Sequence, residues 1–248
     1  MRAYRADLHI HTVLSACAEV EMIPPLIVAE ALRKGLDILA ITDHNATANA
    51  PAVRQAAEGT PLTVLLGMEL QTREEVDVLC LFEAPDALGD WQRLVDAHLP
   101  PLRNDAGRFG PQFVVDAEGE FVREEVRLLQ TATTLALEEA AHEVHRRGGL
   151  VIPAHIDRRS HGLMGVLGLW PPTLEADAAE VSPNLRPSQA RRAFPSLPPT
   201  LTLISSSDAH WLDQIGRVLT IFELEGPPTL EALRQALQGI GPRRVTVP

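Results

Sequence analysis

Asp7-Leu8-His9-Ile10-His11-Thr12 closes the first apolar run of the chain, and the rest can be read outward from it. Ala3 to His9 has the length and composition of a strand. Side chains on a strand alternate between faces, so residues i and i+2 share one. His9 and His11 are therefore expected to converge, with Asp7 on the same side behind them. Two convergent imidazoles beside a carboxylate suit a borderline divalent ion such as zinc, iron or manganese. The same spacing also occurs on exposed strands, so later strand ends must decide its meaning.

Beyond this stretch, short β-like runs alternate with helical segments, the signature of a βα-built fold. Pro24 and Pro25 stand where an opening helical turn tolerates them, and Gly35 ends that helix. Leu36 to Thr42 is a continuous apolar run of buried-strand length. A helix over 50–58 precedes strands at 62–66 and 75–82. Residues 86–134 break the rhythm with a helix around Trp91, a proline-containing loop and a hairpin around Glu118-Gly119. This segment is too short for a core of its own and is expected to be an insertion in one domain spanning 1–248. The βα pattern resumes with a helix over 135–147, strands at 150–154, 178–181, 201–205 and 218–225, and a helix over 230–237 capped by Thr229. Several parallel strands with intervening helices predict an α/β barrel, distorted or incomplete, whose chemistry gathers at the carboxyl ends of the strands.

Bulk properties narrow the function. The 248 residues, 45% hydrophobic, can bury a substantial core. No apolar run approaches the roughly 18 residues of a membrane span, and no leader is visible. Two cysteines make no disulfide framework, which fits a reducing cytoplasm. A formal charge of −11 argues against a long nucleic-acid surface, because phosphate backbones are held by clustered basic residues. A small anionic substrate stays compatible, since bound cations reverse the local field.

Reading only the strand ends gives a consistent set: His9 and His11; Asp43 and His44; Glu69; His155; Asp208 and His210. Five of the nine histidines lie there. Each alone has an ordinary explanation as a capping or loop residue, but together they favour a metal-binding rim. His142 and His145 fall on a helix and read as solvent-facing, and His98 reads as a loop residue.

These motifs, Asp7 to Thr12, Ile41 to Asn45, Gly67 to Glu69, Ala154-His155 and Ser207 to His210, resemble in type and order those of the PHP (polymerase and histidinol phosphatase) family. The resemblance implies a distorted (β/α)7 barrel that hydrolyses phosphoesters with two or three divalent ions (zinc, manganese or iron). It implies one ion on His9, His11, Glu69 and Asp208, a second on His44 and His210, and a third sharing Glu69 with His155. Asp7 and Asp43 match acidic positions that orient neighbouring imidazoles or cap the backbone. Two positions depart from the pattern. Cys17 stands where relatives carry His or Asp, and is either a thiolate ligand or a small buried cysteine. Asp77, a lone acid between Val76 and Val78, is costly to bury unless paired or metal-bound, and is expected to serve the third ion. Arg158, three residues beyond His155, matches an arginine that holds substrate phosphate. Arg158, Asp43 and His210 are the residues assigned to catalysis itself.

The expected function is a metal-dependent phosphoesterase acting on a small phosphomonoester or nucleotide through a metal-activated hydroxide. Exonuclease-like action on short nucleic acid and a non-catalytic metal-binding regulatory module are the alternatives.

Overall fold

The computed structural model describes residues 1–248. Strand β1 (Arg2–Ile10) leads through helix α1 (Pro24–Arg33) to β2 (Ile38–Ile41), and α2 (Ala50–Ala56) leads to β3 (Thr63–Gln71). These three strands are parallel, β1 beside β2 and β2 beside β3. The run of parallel strands then breaks. A tight turn sends β4 (Asp77–Phe82) back antiparallel to β3, and β7 (Leu150–Pro153) pairs antiparallel to β4. Between them stand α3 (Pro85–His98), α4 (Ala106–Phe109), the hairpin β5 (Phe113–Val115) with β6 (Phe121–Glu124), and α5 (Leu137–Arg146). After β7 come α6 (Leu163–Leu167), β8 (Ala179–Val181), α7 (Pro187–Ala193) and β9 (Leu203–Ser205), then β10 (Thr220–Leu224), α8 (Leu230–Leu237) and β11 (Arg244–Thr246). The main sheet runs β11-β10-β1-β2-β3-β4-β7, with β8 and β9 a separate parallel pair.

That pair bridges the open side of the curled sheet. Asp177 N–H donates to Val151 O (2.9 Å) and Ile156 N–H to Glu180 O (2.8 Å), linking β7 to β8. Beyond β9, His11 N–H donates to Ala209 O (3.0 Å) and Ala209 N–H to His9 O (3.2 Å). The fold is thus a mixed α/β half-barrel sheet with eight helices, rather than a regular repeat of strand and helix.

Alternation along the strands sorts two apolar layers. Leu8, Ile38, Leu65, Leu79, Ile152 and Ile204 pack inside the curl, where Leu233 and Leu237 of α8 join them. Arg234 of α8 donates to the carbonyls of Gly148 and Gly149, just before β7, so α8 closes the end opposite the histidines. Val64, Leu66 and Met68 face the outer helices, which leaves Gly67 and Glu69 inward. A Cβ on Gly67 would meet Ile41 O at 2.9 Å and Leu81 Cδ2 at 2.8 Å, so only glycine lets these chains approach so closely. The approach continues past β2, where Asn45 N–H donates to Glu69 O at 2.9 Å.

Residues 86–134 lie against the histidine end. Asn45 Nδ2 donates to the carbonyls of Leu129 (2.7 Å) and Thr131 (2.8 Å), and Asn49 exchanges bonds with Phe113 O and Val115 N–H. His98 is not a loop residue as expected but the last residue of α3. No helix is long and apolar enough to cross a membrane.

Candidate metal centre

The strand ends bring together side chains from five places in the sequence. His9 Nε2 and His11 Nε2 lie 3.2 Å apart. Asp208 Oδ1 is 3.3 Å from the first and 3.2 Å from the second. Glu69 offers Oε1 at 3.3 Å from His9 Nε2 and Oε2 at 3.3 Å from His11 Nε2. A tetrahedral ion with ligand bonds of about 2.0–2.1 Å would hold neighbouring donors roughly 3.3–3.4 Å apart. The four residues expected to share an ion therefore have the spacing of a ligand set.

The hydrogen bonds behind the imidazoles support that use. His9 Nδ1–H donates to Glu180 Oε1 (3.0 Å), and His11 Nδ1–H donates to Ser15 Oγ (3.0 Å). Each bond fixes the tautomer that leaves Nε2 with its lone pair toward the cluster. Two such nitrogens 3.2 Å apart repel unless a proton or a cation lies between them. Burial and neighbouring His44 oppose charge on His11, yet Asp208 and Glu69 outweigh them and raise it to about 9. Burial likewise opposes charge on His9, and Glu69, Asp208 and Glu180 push it well above the usual range. The cluster demands positive charge, from protons if no cation supplies it.

Two further groups adjoin the first. His11, His44 and His210 bring ligand atoms within 4.8 Å of one another, as do His9, Glu69 and His155. Glu69 Oε2 lies 3.0 Å from His44 Nδ1 but makes no aligned hydrogen bond, and His155 Nδ1 is also buried without a partner. Buried polar atoms are rarely left so. His210 Nδ1–H donates to Asp208 O at 2.9 Å, which leaves Nε2 for the cluster. The donor set of imidazoles and carboxylates, with its orphaned oxygen, fits divalent ions.

Backbone strain accompanies the site. His155 (φ 27°), Asp208 (φ 52°) and Asn45 (φ 48°) adopt left-handed conformations. Such residues cost about 1–3 kcal/mol each and persist where surrounding structure imposes them.

The remaining expectations fare differently. Asp77 is nearly buried and reaches only the margin of the cluster, 3.8 Å from His155 Nε2. Its Oδ1 accepts a hydrogen bond from Gln71 Nε2 at 3.1 Å, and burial pushes its carboxyl up to about 6. It belongs to none of the three ligand groups. Asp43 touches no imidazole. It accepts hydrogen bonds from Thr12 N–H, Thr12 Oγ1 and Ser15 Oγ, each 2.7 Å, and acts on His11 through Ser15. Asp7 is likewise removed from the histidine pair, because β1 shifts register against β2 between Asp7 and Ile10. It accepts instead from Ser207 N–H and Gly216 N–H, pinning the connection between β9 and β10 at two points. Burial pushes the Cys17 thiol up, but His210 and His44 outweigh it and bring it to about 5. Arg158 Nη2 donates to Asp208 Oδ2 at 2.5 Å, at the wall of a 370 Å³ cavity that Cys17, Asp208 and His210 also line.

Glu180 is the functional residue the sequence reading missed. It is 1% exposed, and its Oε1 holds both His9 Nδ1–H and His155 N–H. The signal was present in Ala178-Ala179-Glu180-Val181, a lone acid in an apolar strand, as at Asp77.

The fold and this cluster define a metal-dependent hydrolase. The PHP domain matches residues 7–152, and the chain belongs to that family. The fold resembles that of a lesion-specific endonuclease from Pyrococcus furiosus at 19% identity and TM-score 0.67. That alignment covers 98% of this chain but 58% of the endonuclease, so this chain spans little more than half its length. A two-domain protein from Bacteroides vulgatus, containing a predicted PHP-like metal-dependent phosphoesterase, matches at 18% identity and TM-score 0.61, covering 100% of this chain and 65% of that one. An amidohydrolase from Chromobacterium violaceum with bound sulfate matches at 19% identity and TM-score 0.55, covering 91% and 92%. A search of curated protein sequences returns no match.

Proposed function

We propose that the chain hydrolyses a phosphoester of a small phosphorylated compound, a phosphomonoester or nucleotide, with two or three divalent ions. His9, His11, Glu69 and Asp208 would hold one ion, His44 and His210 a second, and His155 with Glu69 a third. Bound there, the ions supply a nucleophile at neutral pH and Lewis-acid polarisation of the phosphoryl oxygens. Glu180 and the Ser15–Asp43 pair keep His9 and His11 in the tautomer that faces the cluster. Arg158 carries the reading. One of its donors rests on Asp208, and the cavity it lines leaves the others for phosphate oxygens. A planar guanidinium there can hold the substrate before reaction and offset charge that grows on the phosphoryl group.

A second reading is nuclease action. An endonuclease Q complex holds a 27-mer duplex with an abasic lesion at its active site, which tempers the expectation of a small substrate alone. The excess of acidic residues favours the small substrate.

The test is a panel of phosphomonoesters, mononucleotides and short oligonucleotides, assayed with added manganese or zinc. Hydrolysis confined to small esters, with Arg158→Ala raising KM while bound metal persists, supports the proposal. Preferential cleavage within oligonucleotides would overturn it in favour of a nuclease. No turnover by metal-replete protein would favour a regulatory module.

A further inference from the structure

A path leads away from the ligand cluster along residues that hydrolysis itself does not require. The cavity beside Asp208 and His210 is also walled by Trp211, Gln214 and Arg217. Those three, with Asp213, line a second cavity of 370 Å³. They form a shared wall between the cluster and the space beyond it.

The wall has unusual chemistry for a surface. Trp91 and Trp170 are 0% and 5% exposed, whereas Trp211 is 45% exposed. Its ring is held in place, because Nε1–H donates to Glu19 Oε1 at 2.8 Å, and its centroid lies 6.2 Å from that of His210. A fixed, half-open indole offers a flat π-face at little conformational cost. Gln214 uses Oε1 to accept from His210 N–H (2.9 Å), which leaves its amide Nε2 as a free donor. Arg217 makes one hydrogen bond, from its backbone N–H to Gln214 O, and its guanidinium is unpaired. Arg158, across the cavity, is already paired with Asp208.

We infer that Trp211, Gln214 and Arg217 form a leaving-group subsite for a nucleobase. The inference rests on the phosphoesterase reading above and narrows its substrate class to nucleotides. The base stacks on Trp211, and the two free donors meet the ring nitrogens and carbonyl oxygens along its edge. The phosphoryl group then lies on the Arg158 side, next to the candidate ligands. Stacking suits any base, so the subsite selects nucleotides over aliphatic phosphoesters with little choice among bases.

The test compares the manganese-loaded protein with Trp211→Ala, Trp211→Phe and Arg217→Ala. It measures the ratio of kcat/KM for adenosine monophosphate to that for glycerol phosphate. Trp211→Ala should lower this ratio about 5- to 150-fold, the range base stacking supplies. Trp211→Phe should keep most of it, and Arg217→Ala should lower it less than Trp211→Ala. Quenching of tryptophan fluorescence by adenosine monophosphate, absent with glycerol phosphate and lost in Trp211→Ala, reads the subsite without turnover. Hydrolysis of both esters with an unchanged ratio and no quenching would overturn the subsite alone. Quenching without hydrolysis of any ester would keep the subsite and overturn the phosphoesterase reading. Absence of both would overturn both.

Discussion

The two ends of the barrel each place an aspartate between a histidine and an arginine, yet the results differ. At the end closed by α8, Asp177 Oδ2 accepts from His145 Nε2–H and Val151 N–H, both 2.8 Å, and Oδ1 accepts from Arg234 Nη1 at 2.9 Å. Arg234 Nη2 donates further to Gly148 O and Gly149 O. Both oxygens of Asp177 are paired and aligned there, and backbone segments are tied by the network. At the other end, Asp208 faces His9, His11 and Arg158, while Glu69 Oε2 and Glu180 Oε2 are left without partners. The larger cavity, 680 Å³, lies at the saturated end. Cavity size would choose the wrong end, and unsatisfied donor geometry chooses the other. A saturated network holds the fold, whereas an unsaturated one awaits a ligand.

Breaking each network tests the contrast. Asp208→Ala should lower hydrolysis on the order of 10³-fold and reduce bound metal, measured by elemental analysis beside kinetics. Retained metal with full activity would contradict its place in the cluster. Asp177→Ala should instead destabilise the fold by about 3–5 kcal/mol, because His145 and Arg234 lose their partner. Denaturant unfolding checks this, and metal content should stay unaltered. Glu180→Gln should weaken metal binding about 10- to 100-fold with a much smaller loss of stability. Titration with a chelator as competitor measures it, and unchanged affinity would show that His9 needs no buttress.

Much of this contrast was legible in the sequence, though unevenly. Proline at the helix starts, Gly35 beyond α1 and the apolar runs located most elements. The direction of β4 was hidden, because alternation of apolar residues carries no sense of up or down. Its reversal follows from a turn over 72–76 too short for a crossover helix. Eight candidate ligands were nameable from residue type and position, and seven of them meet in groups that could hold a metal. Asp77 stands at the margin: Gln71, paired with it across β3 and β4, donates to its Oδ1, while its Oδ2 lies 3.8 Å from His155 Nε2. Asp43 was grouped with imidazoles that it reaches through Ser15, a link between residues 28 apart in sequence.

The smallest expected effect lies in the insertion. Burial pushes the Glu125 carboxyl up, but Arg127 and Arg123 outweigh it and hold it at about 2. A depressed carboxyl stabilises the folded form above its unfolded pKa of about 4.3. That contribution should fade as pH falls from about 4.3 through 2. The protection of the β5–β6 amides against hydrogen exchange, taken relative to intrinsic exchange, which itself slows in acid, should therefore fall as pH drops from about 5 to about 2. Arg127→Ala should flatten this response, and an equal response in both proteins would refute the pairing.

The left-handed backbone at His155 and Asp208 sets activity against stability. A glycine at either place would relieve the strain and remove a candidate ligand in one step, so a substitution damaging to the proposed chemistry is one the backbone readily accepts. Selection for thermal robustness alone would therefore erode this centre first at those two residues. A relative that has drifted to a purely structural role should show glycine there before it loses the buried Glu180.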